Sequence, residues 1–277
     1  MGERLTVTDL RKMKANGEEI AALTAYDYPT ARILDESGVD ILLVGDSLGM
    51  VLLGYESTLA VTMEDMIHHT RAVARGARRA MVVGDMPFLS YQISPGDALR
   101  NAGRFLQEAG AQAVKLEGGR AVAETVRRLT EAGIPVMGHL GLTPQSVNQL
   151  GGYKVQGKNE GAAARLLEDA RCLEESGAFA IVLEMIPRQL AELVTARVAV
   201  PTIGIGAGSG CDGQILVSND MLGLYHGHVA RFVKKFADLS PLVSRGVRDY
   251  VSEVKGGAFP GPEHSFTIDE EILRKLQ

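Results

Sequence analysis

Eight short apolar runs alternate with amphipathic stretches between about residue 18 and about residue 220, and this alternation constrains the fold more than any other feature. The runs cover residues 20–24, 40–44, 81–83, 113–116, 135–137, 180–183, 202–205 and 214–217. Between most of them lie helix-like segments with readable starts. Ser94, Pro95 and Asp97 supply an N-cap, a proline at the first helical position and an acidic third residue; Leu99, Ala102, Phe105, Leu106 and Ala109 follow at helical spacing. Thr62 with Asp65 opens another helix, with a buried stripe of Met66, Ile67, Thr70, Val73 and Ala74. Val122, Val126 and Leu129 mark a third, and Pro187 with Leu190, Leu193 and Val194 a fourth. Strand–helix alternation with short connections implies a parallel sheet with right-handed crossovers. Eight units favour closure into a (β/α)8 TIM barrel, with an open doubly wound sheet as the alternative.

The 277 residues fit one such barrel, and no linker, repeat or low-complexity segment interrupts the pattern. The expected organisation is a single domain over residues 1–277, in which 221–277 form a C-terminal extension with helices around 229–237 and 242–254. Abundant Gly, Ala and Val with few aromatics suit parallel strands flanked by helices. A net charge of −5 with dispersed basic residues argues against a nucleic-acid surface. The two cysteines, Cys172 and Cys211, are far apart and lack metal-type spacing, as in a reduced, cytoplasmic protein. No apolar stretch follows Met1, and no run reaches the length of a membrane span, so neither a signal peptide nor a membrane segment is expected.

Several apolar runs end in an ionisable residue: Asp46, Asp85, Glu117, His139 and Glu184. Strand alternation puts Lys115 and Glu117 on one face of their strand, as it does Leu42, Val44 and Asp46 on theirs, and Met81, Val83 and Asp85 on theirs. If the apolar members point into a barrel, the charged members point into its mouth, at the strand ends where barrel active sites form. A lone Asp after a strand is more often a turn or cap residue. Five charges at equivalent ends each need a partner at a partly buried site, and a shared metal or anionic substrate supplies one. Aspartates from different strands, without a histidine pair or thiolate, suit Mg²⁺ rather than Zn²⁺. An α-keto acid could replace two of its waters, with the ion as Lewis acid, the lysine offsetting charge and a glutamate removing a proton. The pattern reaches metal-assisted enolate chemistry and stops there.

The same segments resemble a known family. Leu43-Val44-Gly45-Asp46-Ser47-Leu48-Gly49-Met50 is similar to the metal-binding segment of ketopantoate hydroxymethyltransferases. So are the segments at 114–119, 138–146, 151–157 and 203–208, and the tail with Phe259-Pro260-Gly261 and Glu263-His264-Ser265-Phe266. The resemblance runs from Thr24-Ala25-Tyr26-Asp27-Tyr28 to that tail, with its motifs in order. It implies a barrel of the phosphoenolpyruvate/pyruvate type and transfer of a hydroxymethyl group from 5,10-methylenetetrahydrofolate to 3-methyl-2-oxobutanoate, forming 2-dehydropantoate in pantothenate biosynthesis. Carried over by residue, it implies one Mg²⁺ per subunit on Asp46 and Asp85, with Glu117 at or just outside the ion. It further implies the keto acid on Asp46, Ser47, Asp85 and Lys115 with His139 nearby, and Glu184 as the base at C3. A cytoplasmic homodecamer is implied as well, with residues 259–266 packed against a neighbouring subunit.

Other signals are discounted. Gly204, Gly206 and Gly208 resemble a phosphate cradle without the dinucleotide fingerprint, so tight packing or close approach to the folate is the expectation. His68 and His69 are adjacent and face apart on a helix. His226 and His228 form a weak loop candidate for metal, Cys172 is expected buried in a helix and Cys211 in a loop. Two rivals remain: a C–C or C–P lyase or mutase acting on a 2-oxo acid, which would carry a reactive cysteine in a gating loop, and a non-catalytic barrel that senses a keto acid.

Overall fold

The computed structural model describes residues 4–225, 227 and 229–276. All eight apolar runs are strands: β1 Ile20–Thr24, β2 Ile41–Val44, β3 Met81–Asp85, β4 Ala113–Glu117, β5 Val136–Gly141, β6 Ala180–Glu184, β7 Thr202–Ile205 and β8 Gly213–Leu216. Each pairs in parallel with the next, and β8 pairs with β1, so the barrel is closed and the open-sheet alternative falls.

Closure creates two apolar layers. Inside the barrel, Ile20, Ile41, Leu43, Met81, Val83, Ala113, Met137, Val182, Ile203 and Ile215 form one cluster. Outside it, alternate strand residues such as Leu42, Val44, Val82, Val114 and Leu183 pack with the helix stripes. The helix Met63–Gly76 begins at Thr62 with the expected capping box to Asp65 and buries Met66, Ile67, Thr70 and Val73; Ala74 is only half-buried. The helix Pro95–Gln107 is capped by Ser94 and buries Ala98, Ala102 and Phe105. On Arg188–Arg197 the buried stripe is Leu190, Ala191 and Val194, and Leu193 faces solvent. An additional helix, Val7–Asn16, precedes β1. Its Leu10 is fully buried in the barrel-interior cluster, so the helix closes the end of the barrel opposite the charged strand ends.

The chain forms two compact units, one of residues 1–218 with 230–233, the other of 219–229 with 234–277. In the second, Ser240–Gly256 is a helix, covering the expected stretch at 242–254. The expected helix at 229–237 is not formed: the described residues there are turn, bend and irregular backbone. The backbone amides of Phe236 and Leu239 donate to the carbonyls of Met221 and Leu222, which holds the chain out of the helical i→i−4 pattern. The segment also lacks an N-capping residue and is interrupted by β-branched Val233.

Candidate active site

Parallel register sets neighbouring charges side by side at one end of the barrel. Asp85 of β3 is the partner of Lys115 of β4, and Glu117 of β4 is the partner of His139 of β5. Lys115 Nζ lies 2.7 Å from Asp85 Oδ1, and both side chains are buried. His139 Nδ1 is 3.3 Å from Lys115 Nζ and 3.5 Å from Glu117 Oε1. On its far side, His139 Nε2 is 3.2 Å from Glu184 Oε2. Glu184 is the more open of these carboxylates, with 16% of its side chain accessible against 2–4% for Asp85, Lys115, Glu117 and His139.

Asp46 arrives by a different route from the one alternation suggests. Leu42 and Val44 face the helices while Ile41 and Leu43 fill the barrel, so the face assigned to Asp46 is the outer one. Strand β2 ends at Val44, and the turn through Gly45 redirects the chain. Asp46 is then buried over the barrel end, with its backbone amide donating to Asp85 Oδ2 at 3.2 Å. Ser47 follows, its Oγ 2.9 Å from the Tyr26 hydroxyl.

The electrostatics follow from burial. Loss of solvent, reinforced by Asp85 and Glu117, raises the Asp46 carboxyl well above its ordinary range. Burial also raises Asp85, against the pull of Lys115. For Lys115, burial opposes the charge, but Asp85, Glu117 and Asp46 outweigh it and hold the ammonium above its usual value. Burial and Lys115 likewise oppose charge on His139, yet the neighbouring Glu117 and Glu184 carboxylates outweigh them and push its pKa up to about 9. Acidic groups thus outnumber basic ones in a dry site, and the Glu117 Oε1 atom has no hydrogen-bond donor. The donor set is all oxygen, so these residues fit a hard divalent cation such as Mg²⁺. Among the described residues no group of three or more His, Cys, Asp or Glu side chains is arranged to hold a metal ion.

Two residues outside the expected set belong to the site. Gln145, in the turn after β5, donates from Nε2 to Asp46 Oδ2 and to the Met86 carbonyl, each at 2.9 Å, and its backbone amide donates to Glu117 Oε2 at 3.0 Å. Tyr91, after β3, donates to Gln145 Oε1 at 2.7 Å and accepts from the Glu117 amide at 3.1 Å. Both are neutral, Tyr91 in a loop and Gln145 in the single 3-10 turn Pro144–Ser146, so no charge or periodicity marks them; the signal was that Gln145 sits within the segment at 138–146.

The glycine at 141 lets β5 approach β6 beside Glu184. Its φ is +96°, and a Cβ there would lie 2.1 Å from the Glu184 carbonyl oxygen. Gly141→Ala is therefore expected to cost about 3 kcal/mol, combining left-handed backbone and overpacking. A thermal melt with no decrease in Tm would contradict that close approach.

The discounted groups stay apart from the cluster. His68 is exposed, while His69 Nδ1 meets the Tyr26 carbonyl at 2.7 Å. His226 and His228 lie outside the described residues. Cys172 is half-buried on the helix Glu160–Glu175, and Cys211 is buried, its thiol pushed up by desolvation. A Cβ on Gly206 would stand 2.7 Å from the Phe232 ring and one on Gly208 2.5 Å from Arg188 Cβ, so tight packing accounts for both.

A closed parallel barrel with this buried, charged mouth places the chain in the (β/α)8-barrel class. Crystallised 2,3-dimethylmalate lyase, described as a phosphoenolpyruvate mutase/isocitrate lyase superfamily member, has a similar fold, with a TM-score of 0.58 at 20% identity, covering 97% of this chain and 93% of that one. The family model described as ketopantoate hydroxymethyltransferase matches residues 4–262, and the chain belongs to that family. The 3-methyl-2-oxobutanoate hydroxymethyltransferase of Syntrophus aciditrophicus is 63% identical over 96% of this chain and 97% of its own length. That of Dehalococcoides mccartyi is 60% identical, over 99% and 97% respectively. No helix among the described residues is long and apolar enough to cross a membrane.

Proposed function

We propose that the chain catalyses transfer of a hydroxymethyl group from 5,10-methylenetetrahydrofolate to 3-methyl-2-oxobutanoate, forming 2-dehydropantoate for pantothenate biosynthesis in the cytoplasm. The observation that carries this reading is the pairing, in one mouth, of a buried Asp85–Lys115 ion pair with the more open Glu184 carboxylate. A small keto acid needs a desolvated cationic anchor for its carboxylate and a base able to reach C3.

Asp46 and Asp85, with Glu117 beside them, would hold one Mg²⁺, which when bound supplies Lewis acidity toward the keto oxygen. Lys115 and Ser47 bind and orient the substrate carboxylate and carbonyl. Glu184 removes the proton from C3, the carbon so activated bonds to the one-carbon unit, one water supplies the hydroxyl oxygen, and tetrahydrofolate leaves. His139, between Glu117 and Glu184, fixes the orientation of the base and compensates its charge.

The lyase reading keeps the barrel but loses its nucleophile: Cys211 is buried with a raised thiol pKa, and Cys172 lies on a helix. A keto-acid sensor would have no need of a base beside the cation. Proton NMR of 3-methyl-2-oxobutanoate in D₂O separates these readings. Loss of the C3 proton signal that depends on Mg²⁺, followed by ketopantoate formation when methylenetetrahydrofolate is added, is the expected result. A C3 signal that persists under every condition would leave the sensor.

Residues 221–277 serve in this reading as the segment for subunit contact in a homodecamer. Supporting this, the helix Ser240–Gly256 has no buried residue and exposes Leu242, Val243, Val247, Tyr250, Val251 and Val254.

A further inference from the structure

Every polar atom of the Gln145 side chain is committed, and the commitments fix which way the amide points. The Met86 carbonyl only accepts, so it takes an N–H of Nε2. The Glu117 amide occupies the Tyr91 hydroxyl as acceptor, so the hydroxyl proton goes to Gln145 Oε1, which also accepts from Gln92 Nε2 at 3.2 Å. The second N–H of Gln145 then has to face Asp46 Oδ2, and does so at 2.9 Å. The same residue's backbone amide caps Glu117 Oε2, while Glu117 Oε1 is left without a hydrogen-bond donor. Gln145 and Tyr91 are themselves buried, at 5% and 2% exposure, so none of these groups exchanges partners with bulk water.

We propose that Gln145, anchored by Tyr91, is a positioning residue for the cation-binding carboxylates. It occupies one oxygen of Asp46 and one of Glu117, so that each presents its remaining oxygen to the mouth. The inference rests on the reading of Asp46 and its neighbours as a divalent-cation site. Held in this way, the remaining oxygens are already oriented for the ion, whereas carboxylates free to rotate have to be ordered when it binds. Groups that orient metal ligands in this way commonly change metal affinity by about 10–100-fold when removed.

The test uses the full-length protein and Mn²⁺ as the probe, followed by electron paramagnetic resonance, with Asp46→Ala as the control for the site. Gln145→Met keeps the chain length but removes the amide, and should weaken Mn²⁺ binding by about 10-fold or more. Tyr91→Phe, which keeps the ring, should weaken it by about 2–10-fold. Saturating metal should restore kcat in both variants, because a positioning defect is one of occupancy, whereas a merely structural defect would lower kcat at every metal concentration. A folded Gln145→Met protein that binds Mn²⁺ like wild type overturns the assignment while leaving the cation site intact. Should Gln145→Met fail to fold, Tyr91→Phe decides, and wild-type affinity there overturns it equally. If wild type binds no Mn²⁺ in a manner that depends on Asp46, the cation reading itself fails and this inference with it.

Discussion

Glu184→Gln is expected to slow C3 proton exchange of 3-methyl-2-oxobutanoate by about 10²–10⁴-fold, the usual contribution of a positioned general base. Keto-acid binding should change little. The amide has the size of the carboxylate and can still meet His139 Nε2, now 3.2 Å from Glu184 Oε2, so the packing of the mouth is preserved. What is lost is the only carboxylate of the cluster open enough to reach a substrate carbon, the others being nearly inaccessible. A secondary effect has a definite sign: with one carboxylate gone, the His139 pKa falls from about 9. Exchange measured by NMR in D₂O, beside calorimetric titration of the keto acid, separates the base from the binding groups. Exchange at the wild-type rate would transfer the role of base away from Glu184. Loss of binding together with exchange would make Glu184 part of the substrate cradle instead.

How much of this site was legible beforehand depends on where each residue stands relative to a regular element. Asp85, Lys115 and Glu117 lie within paired strands, where a period of two ties each side chain to the face of its apolar neighbours. Met81 and Val83 do face the barrel interior, and Asp85 follows them. Asp46 lies beyond the last residue of β2, where the period no longer binds; it joins the cluster, but not by the face argued for it. Gln145 and Tyr91 carry no charge and sit in turns, so their importance exists only in a three-dimensional hydrogen-bond pattern. The helix at 7–16 had readable caps in Thr6, Asp9 and Gly17, but only one buried residue, Leu10, so it left little apolar periodicity. At 229–237 the composition favoured a helix that backbone bonds to residues 221 and 222 override. The barrel was legible because eight buried strands impose eight separate apolar runs.

Lys115→Met should reduce stability by about 3–5 kcal/mol in the absence of divalent cations, since it leaves Asp85 without the partner that compensates its burial. Asp85 Oδ1 lies 2.7 Å from Lys115 Nζ, at a depth where each side chain is at most 4% exposed. Methionine fills most of the volume of the lysine stem, so a packing defect is not the main cost. The double variant Lys115→Met, Asp85→Asn removes both charges and is expected to recover part of the loss, giving a coupling that neither single change predicts. Removing the cation also makes the remaining group of Asp46, Asp85 and Glu117 more negative, which favours any divalent ion. Stability of Lys115→Met should therefore become strongly dependent on Mg²⁺, rising with ion concentration by mass action. Activity would not return with it, because the substrate carboxylate has lost its anchor. Melting curves at graded Mg²⁺, run beside the exchange assay, test both halves. A variant as stable as wild type without the ion would mean that Asp85 takes up a proton there at little cost, consistent with its raised carboxyl. A variant that recovers turnover along with stability would remove Lys115 from substrate binding and leave it a purely electrostatic support.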